Sequence, residues 1–571
     1  MQKGKYFKFI IKSCGNAIYK QFISISIQKA VISLFELIGL AGLFSIITVL
    51  INENALENYH SKVETHLGIG LSQAQFIIGT LFGILIFFGI KNMLSYYIDA
   101  KSLILIEKLS KALNERIIRN FFEKGYWHFK GEKMFSLTQK ASTIPNEFSY
   151  TSLKAFWQLI SEFTILTLFI ILSFSTSLIF SSLLILMSIP VAFYAFNRIK
   201  TKAKAAGSAR LNQQPKTARE LYDLFTGFVE MKIYSSAEHF LALFLNSLEK
   251  LNKLKTKENK LSLMPKRILE LLAVLVVIII YLIHLIGENL GYNTSILLDV
   301  GLLGIFGYKI LPGAARIIES LVQLSNTELA RYSLYENLKP ILKVNHEDID
   351  YFQFLEFENI NFSFGDKVIL NDFSFSIKKG DLIGLMGASG TGKSTMAKVF
   401  LGLLKADSGT IKINGKPCNI YLNENWQHKL GYIGAESFML DATIYENIAF
   451  SKENIDEDKV QTLLTQCQLS EYINNNISIG ELGNKLSSGL KQRIALARAL
   501  YHDPEMLILD EFSSNLDYEN EDLLLDQIEK LAHSRETTIL VISHRPRTMK
   551  IADKVYGLEN GRLKLKVVED T

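Results

Sequence analysis

The chain has 571 residues, 48% of them hydrophobic and 21% charged, with 62 basic against 57 acidic residues and nine prolines. That apolar content excludes disorder and collagen and argues against a purely soluble protein, and the balanced charge lacks the basic excess of a nucleic-acid binder. Cys14, Cys418 and Cys467 lie far apart, form neither a disulfide framework nor a zinc spacing, and are compatible with a reducing compartment.

Residues 1–20 alternate lysines with Tyr6, Phe7, Phe9, Ile10 and Ile11, which reads as an interfacial elbow helix or as the basic flank of a span. Six apolar runs follow, each at or near the roughly 20 residues that a helix needs to cross a bilayer. They are Ala30–Ile51, Ala74–Tyr97, Thr151–Phe174, Ser177–Phe196, Ile268–Ile286 and Leu298–Val322. The first has full spanning length and no small-residue cleavage site, so it reads as a span and not a removable signal. Lysines crowd before span one, and basic residues fill 101–150 and 198–267, whereas the link between spans one and two holds only Lys62. The positive-inside rule then predicts a multi-pass protein of the inner or plasma membrane with both termini cytoplasmic.

Residues 56–67, with Leu56, Tyr59, Val63 and Leu67 at helical spacing, predict a short amphipathic helix on the outer side. The two long inner loops read as helical at Leu103–Phe122 and Ala218–Lys257. Spans two to five would thus continue as extended hairpins, with aromatic-rich tips at Tyr126–Phe129 and Gly227–Tyr234. Such tips either need a receiver below the membrane or are solvated elbows.

Glu36, Lys91, Glu162, Glu270 and Arg316 fall within or at the edge of spans, where charge is costly and faces a partner or a wet cavity. Two readings stay open: an ion-pair layer that supports packing, and a cavity that attracts a polar or anionic headgroup. For the second, the candidates are Arg316, Glu36 and Glu270, with Arg316 foremost because a guanidinium matches phosphate bidentately.

After Asn345 short β-like runs alternate with helical ones, the pattern of a parallel sheet flanked by helices. The expected division is a transmembrane domain at 1–325, a linker at 326–345 and a nucleotide-binding domain at 346–571. The run Asp381–Met386 leads straight into Gly387, Ala388, Ser389, Gly390, Thr391, Gly392, Lys393, Ser394 and Thr395. This is G-x-x-x-x-G-K-S between a strand and a helix, the context of a phosphate loop. Glycines let backbone N–H groups curl around phosphate oxygens. Lys393 supplies charge to the β/γ-phosphates, Ser394 is a Mg²⁺ ligand, and the helix N-terminus adds partial positive charge.

Downstream, the apolar run Met506–Leu509 ends in Asp510 and Glu511. Asp510 is suited to Mg²⁺ and Glu511 to polarising an attacking water. His544, after the β run Thr538–Ser543, is the candidate γ-phosphate contact. Between these lies Lys485–Leu500, in which Ser487 and Gly489 lead a helix that bears Lys491 and Arg493. This is a second phosphate-recognition surface. Nothing upstream pairs with it, which suggests that it serves another copy's nucleotide.

The order of these motifs carries a resemblance. Phosphate loop, GYI at Gly431–Ile433, LSSGL at Leu486–Leu490, LILDE, SNLD at Ser514–Asp517 and SHR at Ser543–Arg545 together resemble an ATP-binding cassette exporter of the half-transporter type. The resemblance implies an α-helical six-span domain fused to an α/β P-loop domain. It implies ATP and Mg²⁺ as ligands, and a dimer, an identical second chain preferred over a sister half-transporter. Each ATP would be held between one chain's phosphate loop and the other chain's Leu486–Leu490. Phe364 falls where the family stacks an aromatic on adenine.

The chain departs from that pattern at two places. Ser488 and Leu490 stand where the family has Gly and Gln, and Gly434–Ala435 where it has a glutamine-bearing pair. Alanine cannot ligate Mg²⁺ or orient water, and Glu436 is the available substitute. Slow or differently coupled hydrolysis is therefore expected.

In the membrane half, Ser33–Leu43, Met264–Glu270 and Tyr308–Ile317 resemble the exporter branch that includes bacterial lipid-linked oligosaccharide flippases. The leading expectation is an ATP-driven exporter or flippase of an amphipathic cargo, a lipid or lipid-linked glycan. Export of a small peptide such as a bacteriocin is second, and a nucleotide-gated channel or sensor third.

Overall fold

The computed structural model describes residues 2–51, 65, 72–176, 178–289, 312–340, 348–349, 351–388, 390–473, 477–514 and 516–566. The expected outer helix at 56–67, apart from Thr65, and residues 298–311 of the sixth run lie outside the described residues, as do Ser389 and Asn515.

The chain divides into two compact units, Met1–Phe121 with Glu132–Pro340, and Phe122–Gly131 with Ile341–Thr571. The first is helical. Its main helices are Gln2–Ser13, Asn16–Ile51, Gln73–Glu123, Lys154–Thr176, Leu178–Thr226, Ala237–Asn289 and Glu328–Asn337, with 312–326 also helical. The three longest have 51, 49 and 53 residues. At 1.5 Å per residue each is roughly 75 Å long, more than twice the hydrocarbon thickness of a bilayer.

Gln73–Glu123 changes character along its length. Ile78, Leu81, Phe82, Leu85, Ile86 and Ile90 are exposed in its first part, where the sequence is apolar all round. Farther on, Leu105, Ile106, Leu109, Leu113 and Ile117 are buried at helical spacing, and the charged residues take the other face. An all-round apolar segment suits lipid, and a one-sided stripe suits packing in water. Among the described residues, Asn16–Gly39 and Gln73–Glu123 are long and apolar enough to cross a membrane.

The N-terminal stretch does form a helix, but its apolar residues face protein. Ile10 and Ile11 are wholly buried in a core with Leu109, Phe148, Trp157 and Leu334. Elsewhere Gly207 lets two helices touch, since a Cβ there would collide with the Asn326 carbonyl oxygen. Arg210 ties three segments together, pairing with Glu258 at 3.0 Å and with Glu147. Of the two predicted hairpin tips, Phe228–Ile233 is a six-residue helix of the first unit, and Tyr126–Gly131 one of the second.

Among the described residues the second unit has ten strands: β1 (Phe354–Phe364), β2 (Lys367–Lys378), β3 (Leu382–Met386), β4 (Ser408–Ile413), β5 (Lys416–Pro417), β6 (Leu430–Ile433), β7 (Met506–Asp510), β8 (Thr538–Ile542), β9 (Lys554–Glu559) and β10 (Arg562–Lys566). Six form a sheet in the order β10-β9-β3-β8-β7-β6, parallel except for the β10 edge. Its central strands β7 and β8 are buried along their whole length, as continuous apolar runs in a parallel sheet should be.

A four-stranded antiparallel sheet, β2-β1-β4-β5, was not foreseen. Its basis is the in–out alternation of β1, where Leu355, Phe357, Ile360 and Phe362 are buried and the residues between them are not.

Candidate functional site

Strand order builds the site. β3, β8 and β7 are parallel neighbours, so the residues just beyond their carboxyl ends meet. Beyond β3 come Gly387–Gly392 and the helix Lys393–Phe400. Gly392 has φ +106°, and a Cβ on it would strike Ile369 at 2.6 Å, so the turn into the helix needs glycine. Gly390 also has positive φ, +84°. A Cβ on Gly387 would meet the Thr391 hydroxyl at 2.9 Å. Thr391 in turn donates to the Ala388 carbonyl at 2.9 Å, and Thr395 follows in the helix's first turn.

Lys393 is 4% exposed, and its ammonium donates to the carbonyls of Gly387 and Ala388 at 2.8 and 3.0 Å. The Ser394 hydroxyl donates to Asp510 at 3.3 Å. Asp510 ends β7 and is buried. Burial holds its carboxyl above the ordinary range, opposed by the Ser394 hydrogen bond. Glu511 follows with φ 51°, a left-handed conformation that is strained for a non-glycine residue. Its carboxylate lies 3.7 Å from the Lys393 ammonium and 3.8 Å from His544 Nδ1.

Lys393, Ser394, Asp510, Glu511 and His544 are thus brought together within one chain. The set fits a magnesium nucleotide: a glycine cradle that side chains would fill, a lysine in its mouth, and hydroxyl and carboxylate oxygens of the kind Mg²⁺ takes.

Other predicted residues stand apart from this group. Ser487 caps the helix Ser488–Tyr501, its hydroxyl accepting from the Leu490 N–H, and is exposed. Gly489 is buried so tightly that a Cβ would meet Asn520 at 2.7 Å. Among the described residues no hydrogen bond joins either to the phosphate loop. Leu490 packs on the apolar core. Phe364 ends β1, with Trp127 stacked upon it at a ring-centroid distance of 4.7 Å. Glu436 is exposed.

In the helical unit Arg316 pairs with the buried Glu162 and Glu270 with Arg267 at 2.9 Å, while Glu36 is half-buried. Two further residues were not singled out. Tyr432 of the GYI segment has its phenol pushed up to about 12, by burial first and by Asp510 next. Gln492 binds the backbone of Gly434 and Ala435. A buried amide inside a helix signature was the available signal.

The fold and these residues define a P-loop nucleotide-binding domain joined to a long-helix bundle. Residues 370–514, within the second unit, match the ABC transporter family.

Among curated relatives, the chain is 36% identical over 214 residues to a probable ABC transporter ATP-binding/permease protein of Haemophilus influenzae, covering 37% of this chain and 38% of that one. It is 35% identical over 215 residues to an ATP-dependent lipid A-core flippase of Saccharophagus degradans, covering 37% and 36%. It is 33% identical over 217 residues to a toxin RTX-III translocation ATP-binding protein of Actinobacillus pleuropneumoniae, covering 37% and 30%. The match thus spans between 30% and 38% of each relative's length. The fold extends further: a bacterial Atm1-family ABC exporter with ATP bound superposes with a TM-score of 0.73 over 96% of this chain and 95% of that one, at 17% identity.

Proposed function

We propose that the protein is an ATP-driven exporter. Two chains act as a dimer in the inner or plasma membrane, with six spans each and both termini cytoplasmic. ATP would be held by the phosphate loop Gly387–Thr395, with its base on Phe364, and by Ser487 and Gly489 of the second chain. Ser394 and Asp510 would hold Mg²⁺, which would supply positive charge against the negative charge that develops on the phosphates. Glu511 accepts a proton from the attacking water, and Lys393 and His544 stabilise negative charge at the γ-phosphate position. Closure of two cassettes moves the hairpin tips, and the spans alternate between inward- and outward-facing.

The observation that carries this reading is the convergence of Lys393, Ser394, Asp510, Glu511 and His544 at three adjacent strand ends. Its test is MgATP hydrolysis by the purified chain in liposomes, with vanadate trapping. Turnover with trapped nucleotide supports it; a wild-type chain that neither hydrolyses nor traps nucleotide would refute it.

For the cargo we favour an amphipathic lipid or lipid-linked glycan, supported by the likeness to a lipid A-core flippase. Peptide export is the second reading, supported by the likeness to a toxin translocation protein. ATPase stimulation by an undecaprenyl-linked glycan against stimulation by a peptide separates them.

A further inference from the structure

Phe364 is not an open platform. The Trp127 indole lies on it with planes 14° apart and ring centroids 4.7 Å apart. A base inserted between two rings needs about 7 Å, two van der Waals contacts, so no third ring fits there. The base and Trp127 cannot hold the same face of Phe364 together.

The segment that carries Trp127 is anchored elsewhere. Its neighbour Tyr126 packs on the core that contains Phe357, Phe373 and Phe400. The Lys398 ammonium lies 5.3 Å from the Tyr126 ring centroid. Gly125 approaches Tyr421 so closely that a Cβ would meet its hydroxyl at 2.7 Å. Trp127 itself is 53% exposed. It can therefore leave Phe364 while Tyr126 holds the segment in place.

Resting on the reading that the nucleotide base stacks on Phe364, we infer that Trp127 is a specificity-determining residue that competes with the base for that ring. Base binding displaces the indole into solvent, so the hairpin tip registers the base and not only the phosphates. A triphosphate without a base leaves the Trp127–Phe364 stack intact. Competition of this kind lowers apparent affinity by the fraction of chains in which the stack is open.

The full-length protein in detergent micelles tests this by equilibrium binding of ATP and of inorganic tripolyphosphate, each with Mg²⁺. Trp127→Ala should tighten ATP binding by about two- to tenfold, the range expected for one aromatic pair, and leave tripolyphosphate binding unchanged. In the wild type, ATP and not tripolyphosphate should red-shift the tryptophan emission. Trp157 and Trp426 are 2% and 0% exposed and serve as the unresponsive background.

Trp127→Phe should remove the emission change, which keeps the assignment checkable if the alanine variant folds poorly. ATP affinity that is unchanged or weakened in Trp127→Ala overturns the competition while leaving the nucleotide site standing. A wild-type chain that binds neither ligand overturns the nucleotide reading itself.

Discussion

Gln492 ties the helix of the LSSGL segment to the stretch where the glutamine expected of the family is replaced. Its amide nitrogen donates to the carbonyls of Gly434 at 3.1 Å and Ala435 at 2.9 Å, and its oxygen accepts from Ser437 at 3.1 Å. These ties use the backbone of Ala435, so the missing side chain does not loosen the loop. On the proposed reading, the alanine leaves the nucleotide without a polar side chain at this position.

Two variants separate these roles. Gln492→Leu leaves carbonyls unpaired in a buried place and is expected to lower stability by about 1–3 kcal/mol. A thermal melt followed through Trp426, which is enclosed in the same unit, would show it. Ala435→Gln keeps the backbone ties and should raise MgATP turnover severalfold at unchanged melting temperature. An unchanged rate would show that hydrolysis here does not wait on that side chain.

Glu511 sits between the Lys393 ammonium at 3.7 Å and the His544 imidazole at 3.8 Å. Its left-handed backbone aims the carboxylate where an ordinary strand end would not. Glu511→Gln preserves shape and removes the proton acceptor. It should cut turnover by about 10²–10⁴-fold and leave ATP affinity within about twofold of the wild type. His544→Ala should lower turnover with Glu511 intact. Loss of ATP binding in Glu511→Gln would make this residue a ligand-holding group instead of a base.

Much of this site was legible because each part is local. Gly387–Thr395, Asp510–Glu511 and His544 each follow an apolar run of strand length, and the sheet order then brings them together. The long helices were legible because the inner loops are too long for turns and read as helical at Leu103–Phe122 and Ala218–Lys257. The pairs that escaped notice join segments distant in the chain. Trp127 meets Phe364 and Gln492 meets Ala435 through packing that no periodicity encodes. The sheet β2-β1-β4-β5 is less legible because β1 alternates buried and less buried residues, a weaker signal than the continuous apolar runs of β7 and β8.

Arg316, read from sequence as the foremost cargo contact, is engaged by Glu162 through two guanidinium nitrogens. Gly313 admits this arrangement, since a Cβ there would stand 3.0 Å from the Glu162 carboxylate. Glu162 is 7% exposed, so loss of Arg316 strands a buried charge. Because the Arg316 side chain is 36% exposed, solvent screens part of the effect. Arg316→Gln is expected to destabilise the chain by about 1–3 kcal/mol, and the Glu162→Gln/Arg316→Gln double variant by less than the single one. A thermal melt of the three variants checks the pairing. If the single variant melts like the wild type but loses cargo-stimulated ATPase, Arg316 serves the cargo and not the fold.

Asp510 makes stability depend on pH in a direction opposite to that of a salt-bridged carboxylate. Burial raises its folded pKa, with the Ser394 hydrogen bond opposing and the Glu511 charge adding to the rise. The folded chain therefore holds this proton more tightly than the unfolded one. The ionised carboxyl is a cost at neutral pH, and the cost is relieved as pH falls through the folded value toward the ordinary range near about 4. Asp510→Asn removes the cost without changing shape. In chelator and without nucleotide, it should melt higher than wild type at neutral pH, with the gap closing as pH falls toward that range. The same variant should lose Mg²⁺-dependent hydrolysis. An equal or lower melting temperature at neutral pH would mean that Lys393 and Ser394 already compensate the buried charge in full.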